Sequence, residues 1–216
     1  MQKLPQALTI INSNVSPAPT AHRHTKGGNQ LNIWHDIDPS HISPEKFMAV
    51  IEIPAYSKKK YELDKRTGLL RLDRILYTST HYPANYGFIP RTYAADGDPL
   101  DVLVLCSEVL DPLVMVECYP IGVMRMIDDD EVDDKIIAIP REDPTWNFYT
   151  DFDQLPPHYG NEISHFFEIY KALEHKHTAT SNALPREDAI KVIEECMERY
   201  FVHYCGKRPG KPPKNG

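Results

Sequence analysis

Three aspartates fall within six positions in "AADGDPLDVLVL" (94–105): Asp96, Asp98 and Asp101. An apolar run follows at once. A second acidic run, "DDDEVDDK", occupies 128–135. Crowded carboxylates repel, and each raises the pKa of its neighbours. Water relieves that cost, and so does a hard divalent cation such as Mg²⁺, which takes oxygen ligands and keeps several waters. A calcium loop of the EF-hand kind does not fit. Counted from Asp96, the sixth position is Asp101 where glycine is required, and the twelfth is Ser107 rather than glutamate. Taken alone, "DGDP" is also an ordinary solvated turn; on extended backbone Asp96 and Asp98, two residues apart, would instead point to one side.

Other stretches add charge. "EIP" and "KYE" supply Glu52, Lys60 and Glu62, "LDRI" supplies Arg74, and "IYK" supplies Tyr170 and Lys171. Each has a bland reading. Glu52 can be an outward residue of an edge strand, and Lys60 one of three solvated lysines. Arg74 can pair locally with Asp73, Tyr170 can belong to an apolar helix face, and 128–134 can be an exposed hairpin loop. The set taken together carries the argument.

The elements that must position these residues change character along the chain. "FMAVIEIP" (47–54) reads as a strand that Pro54 ends. "KYELDKRTGLLRLDRIL" (60–76) reads as two strand pieces joined by a turn at Arg66-Thr67-Gly68, with Leu70, Leu72 and Arg74 on one face by the period of two. Further strands are expected at 102–105, 113–126 and 135–140. In the last third the period becomes helical. Ile163, Phe166, Phe167 and Tyr170 recur at helix spacing, and so do Ala189, Ile190, Ile193, Cys196, Met197, Tyr200 and Phe201, with Pro185 at the first turn. Strands first and helices last predict an α+β class.

The chain has 216 residues, 41% of them apolar and 25% charged, which suits one core of ordinary size. We divide it into a flexible extension over 1–30, one domain over 31–205 and a basic flexible tail over 206–216. The formal net charge of −7 argues against nucleic acid as a partner. No stretch reaches the roughly 18 apolar residues of a membrane span. Four cysteines without a CxxC pair suit reduced thiols and a cytoplasmic setting. The acid-poor extension leaves an organelle-targeting role open.

The order of motifs resembles the soluble, Mg²⁺-dependent inorganic pyrophosphatases of family I. The carrying stretches are "EIP", "KYE", "DR" (73–74), "YPANYGFIP" (82–90), "DGDPLDVLV" (96–104), "DDDEVDDK" and "HFFEIYK" (165–171). The resemblance implies a five-stranded, OB-like β-barrel with flanking C-terminal helices, hydrolysing inorganic diphosphate to two orthophosphates by direct attack of a metal-activated water. It implies Asp96, Asp101, Asp128 and Asp133 as metal ligands, with Glu52 and Glu62 serving additional ions, and Asp98 as the general base. Lys60, Arg74, Tyr86, Lys135, Tyr170 and Lys171 become the diphosphate contacts, with Tyr82 supporting the cleft. It also implies several Mg²⁺ ions per site and a homo-oligomer. Ile169 stands where some bacterial relatives carry a histidine. Seven carboxylates against four fixed cations leave a deficit of positive charge that several Mg²⁺ ions would correct.

Two rival readings follow from the same features. An OB-like module gripping oligonucleotides needs a basic groove, whereas this set is acidic. An enzyme acting on nucleoside triphosphates would be expected to show a Gly-x-x-x-x-Gly-Lys loop, which the chain lacks.

Overall fold

The computed structural model describes residues 31–128, 131–174 and 178–206. The expected extension over 1–30 and nearly all of the expected basic tail lie outside the described residues. The chain runs through β1 (Phe47–Ile53), β2 (Lys59–Leu63), β3 (Leu70–Ile75), β4 (Asn85–Ile89), β5 (Leu100–Val104), β6 (Met115–Met124), β7 (Met126–Asp128), β8 (Glu131–Val132) and β9 (Lys135–Pro140). Helix α1 (Pro157–Ile169), strands β10 (Thr178–Thr180) and β11 (Leu184–Pro185) and helix α2 (Arg186–Tyr200) follow.

Five strands close on themselves in the order β1–β4–β5–β9–β6, with β6 returning to pair with β1. The pairs are antiparallel except β5 with β9. This is the five-stranded barrel with C-terminal helices that the motif order implied. Closure leaves few free edges for another chain to pair with. Strand β11 pairs with β6 at the margin of the barrel, and a hairpin of β2 and β3 and a ribbon of β10, β7 and β8 complete the β structure.

The wall strands are apolar on both faces, which explains why "VLVL" and "IIAI" read as continuous runs rather than alternations. On one face Leu103, Ile137 and Ile139 pack with Phe166 and Phe167 of α1. On the other, Val102, Val104, Ile136 and Ala138 pack with Ala189, Val192, Ile193 and Cys196 of α2. Both helices were expected from their spacing. Within α2, Val192 takes a buried place, while Ile190 and Met197 are only half-buried.

Three local details differ from expectation. Strand β4 was not anticipated, because Asn85 and Gly87 are poor strand residues. Glycine is required there: a Cβ on Gly87 would lie 1.9 Å from the Val50 carbonyl oxygen of β1. The single strand expected over 113–126 is two, β6 and β7, and begins after Leu113, whose φ is +69°. In β3 the register slips where Lys60 faces Arg74 and Tyr61 faces Leu72, so Asp73 is the extra residue. That bulge breaks the expected alternation, and Leu72 is 50% exposed.

Candidate active site

The alternation of β5 and β9 decides where the charges go. Asp101 lies two residues before Leu103, and Lys135 two before Ile137, so both open on the α1 face of the wall. The parallel register sets them opposite each other. Lys135 is 3% exposed and pairs with Asp101 Oδ2 at 2.5 Å and, more closely, with Asp133. Burial alone would lower the lysine's pKa. The two carboxylates outweigh it, and the ammonium is held above its ordinary value. The Tyr86 hydroxyl donates to Asp101, and burial, reinforced by that carboxylate, pushes the phenol well up.

Glu52, at the end of β1, is buried and accepts the Leu63 backbone N–H at 2.9 Å. Burial and then the charge of Asp101 raise its carboxyl well above the usual range. From β2, Lys60 Nζ reaches Glu62 Oε1 at 2.8 Å. From the C-terminal end of α1 come Tyr170 and Lys171, both buried, with the Lys171 ammonium 5.4 Å from the Tyr170 ring centre. Tyr82 is buried against Tyr86 and Phe166.

Asp96 and Asp98 were expected to share one side of an extended segment. They sit instead on a turn, closed by Ala94 N–H donating to the Asp98 carbonyl at 2.7 Å. Gly97 between them has φ +84°, a conformation that favours glycine. The Asp98 N–H donates to Asp96 Oδ1 at 3.0 Å, an Asx turn. Asp96 is exposed as a residue, yet its carboxyl is crowded on the cleft side. Withdrawal from water, followed by the charges of Asp101, Asp98 and Asp133, raises it to about 6.

These groups line one cleft of about 610 Å³. Glu52, Lys60, Glu62, Tyr82, Tyr86, Asp96, Asp98, Asp101, Asp133, Lys135, Tyr170 and Lys171 all reach it. Arg74 does not. The bulge turns its guanidinium to Asp73 at 2.5 Å and Glu174 at 2.9 Å, close to the local reading of that residue. The backbone of Asp128 lies in β7, and its side chain is outside the described residues.

Sequence reasoning missed three cations, Lys65, Arg66 and Arg71 from the β2–β3 hairpin. The signal was present: a basic "DKR" turn on a hairpin whose strand carries Lys60 and Glu62 toward the cleft. Among the described residues the lining then holds seven carboxylates against six cations, closer to balance than the motif set alone.

The profile of the family described as inorganic pyrophosphatase matches residues 49–201. The chain belongs to the inorganic pyrophosphatase family. As a member it is a hydrolase, with diphosphate as the compound its family name specifies. Soluble inorganic pyrophosphatase 2 of Chlamydomonas reinhardtii is 50% identical over 175 residues, spanning 81% of this chain and 91% of that protein. The soluble inorganic pyrophosphatase of Oryza sativa subsp. indica is 46% identical over 197 residues, spanning 89% and 92%. Among solved structures, the inorganic pyrophosphatase of Helicobacter pylori superposes with a TM-score of 0.73 at 42% identity, covering 76% of this chain and 98% of that one. Among the described residues, no helix is long and apolar enough to cross a membrane.

Whether the pyrophosphatase cleft suits a metal is a question of donors. Among the described residues no three acidic, His or Cys side chains form a ready-made cage, and Lys135 pairs with both Asp101 and Asp133. The donor chemistry nonetheless fits a hard cation: every acidic group is an oxygen ligand, and Asp96 is crowded enough to hold its proton up to about 6.

Proposed function

We propose that the chain hydrolyses diphosphate to two orthophosphates in a Mg²⁺-dependent reaction, by direct attack of an activated water and without a phosphoenzyme. The observation that carries this is the acid-lined cleft. Seven carboxylates against six cations leave no net positive charge to hold a substrate of about −4. Asp96, Asp101, Asp128 and Asp133 would hold Mg²⁺, with Glu52 and Glu62 serving further ions. When bound, Mg²⁺ supplies acidification of water and neutralisation of phosphate charge.

The residues of the chain do the rest. Asp98, on the rim turn, orients the attacking water and accepts its proton. Lys60, Lys135, Lys171, Tyr86 and Tyr170 donate to the phosphate oxygens, and their fixed positions stabilise charge on the leaving phosphate. Lys135 enters this role by exchanging one of its two carboxylates for substrate. Arg74 joins only on releasing Asp73 or Glu174. No serine or cysteine nucleophile is required.

The test is phosphate release from diphosphate with excess Mg²⁺, then with EDTA, beside Asp98→Asn. We expect release that needs Mg²⁺ and falls at least about 100-fold in the folded variant. Release that survives EDTA would remove the metal, and a near-wild-type Asp98→Asn would remove Asp98 as the base. A trapped phosphoaspartate would overturn direct transfer.

A further inference from the structure

Lys65 donates to no phosphate oxygen in the proposed reaction, yet it touches Asp98. It sits at the tip of the β2–β3 hairpin, across the cleft from the aspartate turn. Its backbone is fixed on several sides. Asp64 Oδ1 accepts the Arg66 N–H at 2.9 Å and the Thr67 N–H at 3.3 Å, and the Asp64 carbonyl accepts the Gly68 N–H at 2.7 Å. The Lys65 carbonyl accepts from Asn32 Nδ2 at 3.1 Å. Gly68, at φ +70°, passes so near the Leu31 carbonyl oxygen that a Cβ would lie 3.0 Å from it. From this anchored tip the Lys65 ammonium forms an ion pair with Asp98 Oδ1 and lies 3.4 Å from the Gly97 carbonyl oxygen. One side chain thus joins the two lips of the cleft.

The pair positions the carboxylate without holding up the fold. The side chains of Lys65 and Asp98 are 51% and 49% exposed, so water compensates when they part, and such pairs are worth little in stability. Lysine carries a compact charge with three donors, and here it spans the Asp98 carboxylate and the Gly97 carbonyl at once.

We propose that Lys65 is a positioning residue for Asp98. It holds the carboxylate toward the cleft by Oδ1, leaving the other oxygen to orient the attacking water and take its proton. This rests on the reading of Asp98 above.

The test is a kinetic double-mutant cycle on the full chain with diphosphate and Mg²⁺. It compares Lys65→Met, Asp98→Asn and the double variant, with Lys65→Arg as the conservative replacement and Lys46→Met, which removes a lysine paired with Glu117 away from the cleft, as control. Lys65→Met should lower kcat about tenfold, through lost orientation. Its melting temperature should stay within about 2 °C of wild type, because the pair is exposed. Lys65→Arg should recover most of the rate. In the Asp98→Asn background, Lys65→Met should change kcat less than twofold. Several results would overturn the proposal: unchanged kcat in Lys65→Met, a raised KM with kcat unchanged, the same tenfold loss in both backgrounds, or a lowered melting temperature that tracks the lost rate. Failure of the Asp98 reading looks different, since Asp98→Asn alone would then be near wild type.

Discussion

On the floor of the cleft, Lys135 is 3% exposed and held between two carboxylates; on the rim, Lys65 is 51% exposed and held by one. The residue types match, but their placement follows different physics. The floor charges are fixed by pairing between β5 and β9, strands 30 residues apart in sequence, and lie beneath α1. The rim charges are fixed by two local turns, each with a glycine at positive φ. Removing a floor charge should therefore damage folding and catalysis together. Removing a rim charge should touch the rate and leave the fold alone. The Lys65 cycle is one arm of that contrast, and the substitutions below supply the other.

The largest effect is expected in the wall itself. In Gly87→Ala the new Cβ would meet the Val50 carbonyl oxygen at 1.9 Å and Ile51 Cα at 2.9 Å. These are backbone atoms of β1, so relief requires parting two paired strands. We expect a loss of more than about 3 kcal/mol, or failure to accumulate as folded protein, read by thermal melting. A melting temperature near wild type would mean that the β1–β4 approach is not needed to close the barrel.

How much of this was legible in the sequence divides along the same line. "DGDPLDVLV" placed Asp101 at the mouth of a buried strand because the apolar run after it admits no other role. The helical spacing of Ile163, Phe166 and Phe167 placed α1 for the same reason, since burial writes a period into the residues. Strand β4 was hidden because its glycine answers to a neighbour 37 positions away, which no local pattern records. The bulge at Asp73 was hidden likewise, although the pairing of Arg74 with Asp73 was one of the readings its sequence allowed. The Asp96–Asp98 turn was misread as extended although "DGDP" is a turn signal, because the strand after it dominated. Lys65 and Arg66 stand in a basic turn and Arg71 in β3, and nothing local marks them as cleft residues, since what aims a hairpin tip lies in contacts such as Asn32 with Lys65.

The floor is tested next by Lys135→Met. The variant leaves Asp101 and Asp133 facing each other without their cation. Removing one partner of a buried ion set should cost about 3 kcal/mol in metal-free protein, measured by melting in EDTA. Mg²⁺ should then raise the melting temperature of the variant more than that of wild type, because the freed carboxylates become available to it. Equal metal responses would show that Lys135 does not compete with a cation for these carboxylates, and the floor would be an ion set that merely holds the strands.

The smallest effect belongs to the rim, and it concerns pH. Asp96 is raised from an ordinary carboxylate value to about 6 in the folded chain, by withdrawal from water and by Asp101, Asp98 and Asp133. Between about pH 4 and 6 the folded state therefore binds more protons than the unfolded state, so stability falls as pH rises through that window and levels off above it. Asp96 is exposed as a residue, which keeps the slope shallow. In metal-free protein, melting followed from pH 4 to 7 should show this decline against the background of the other carboxylates, and Asp96→Asn should flatten it. With Mg²⁺ added the decline should also fade, since a bound cation favours the ionised carboxylate that crowding disfavours. A slope unchanged in Asp96→Asn would place the titration elsewhere among the cleft acids. Glu52 is the group to test then, because burial raises its carboxyl well above the ordinary range from within the floor rather than on the rim.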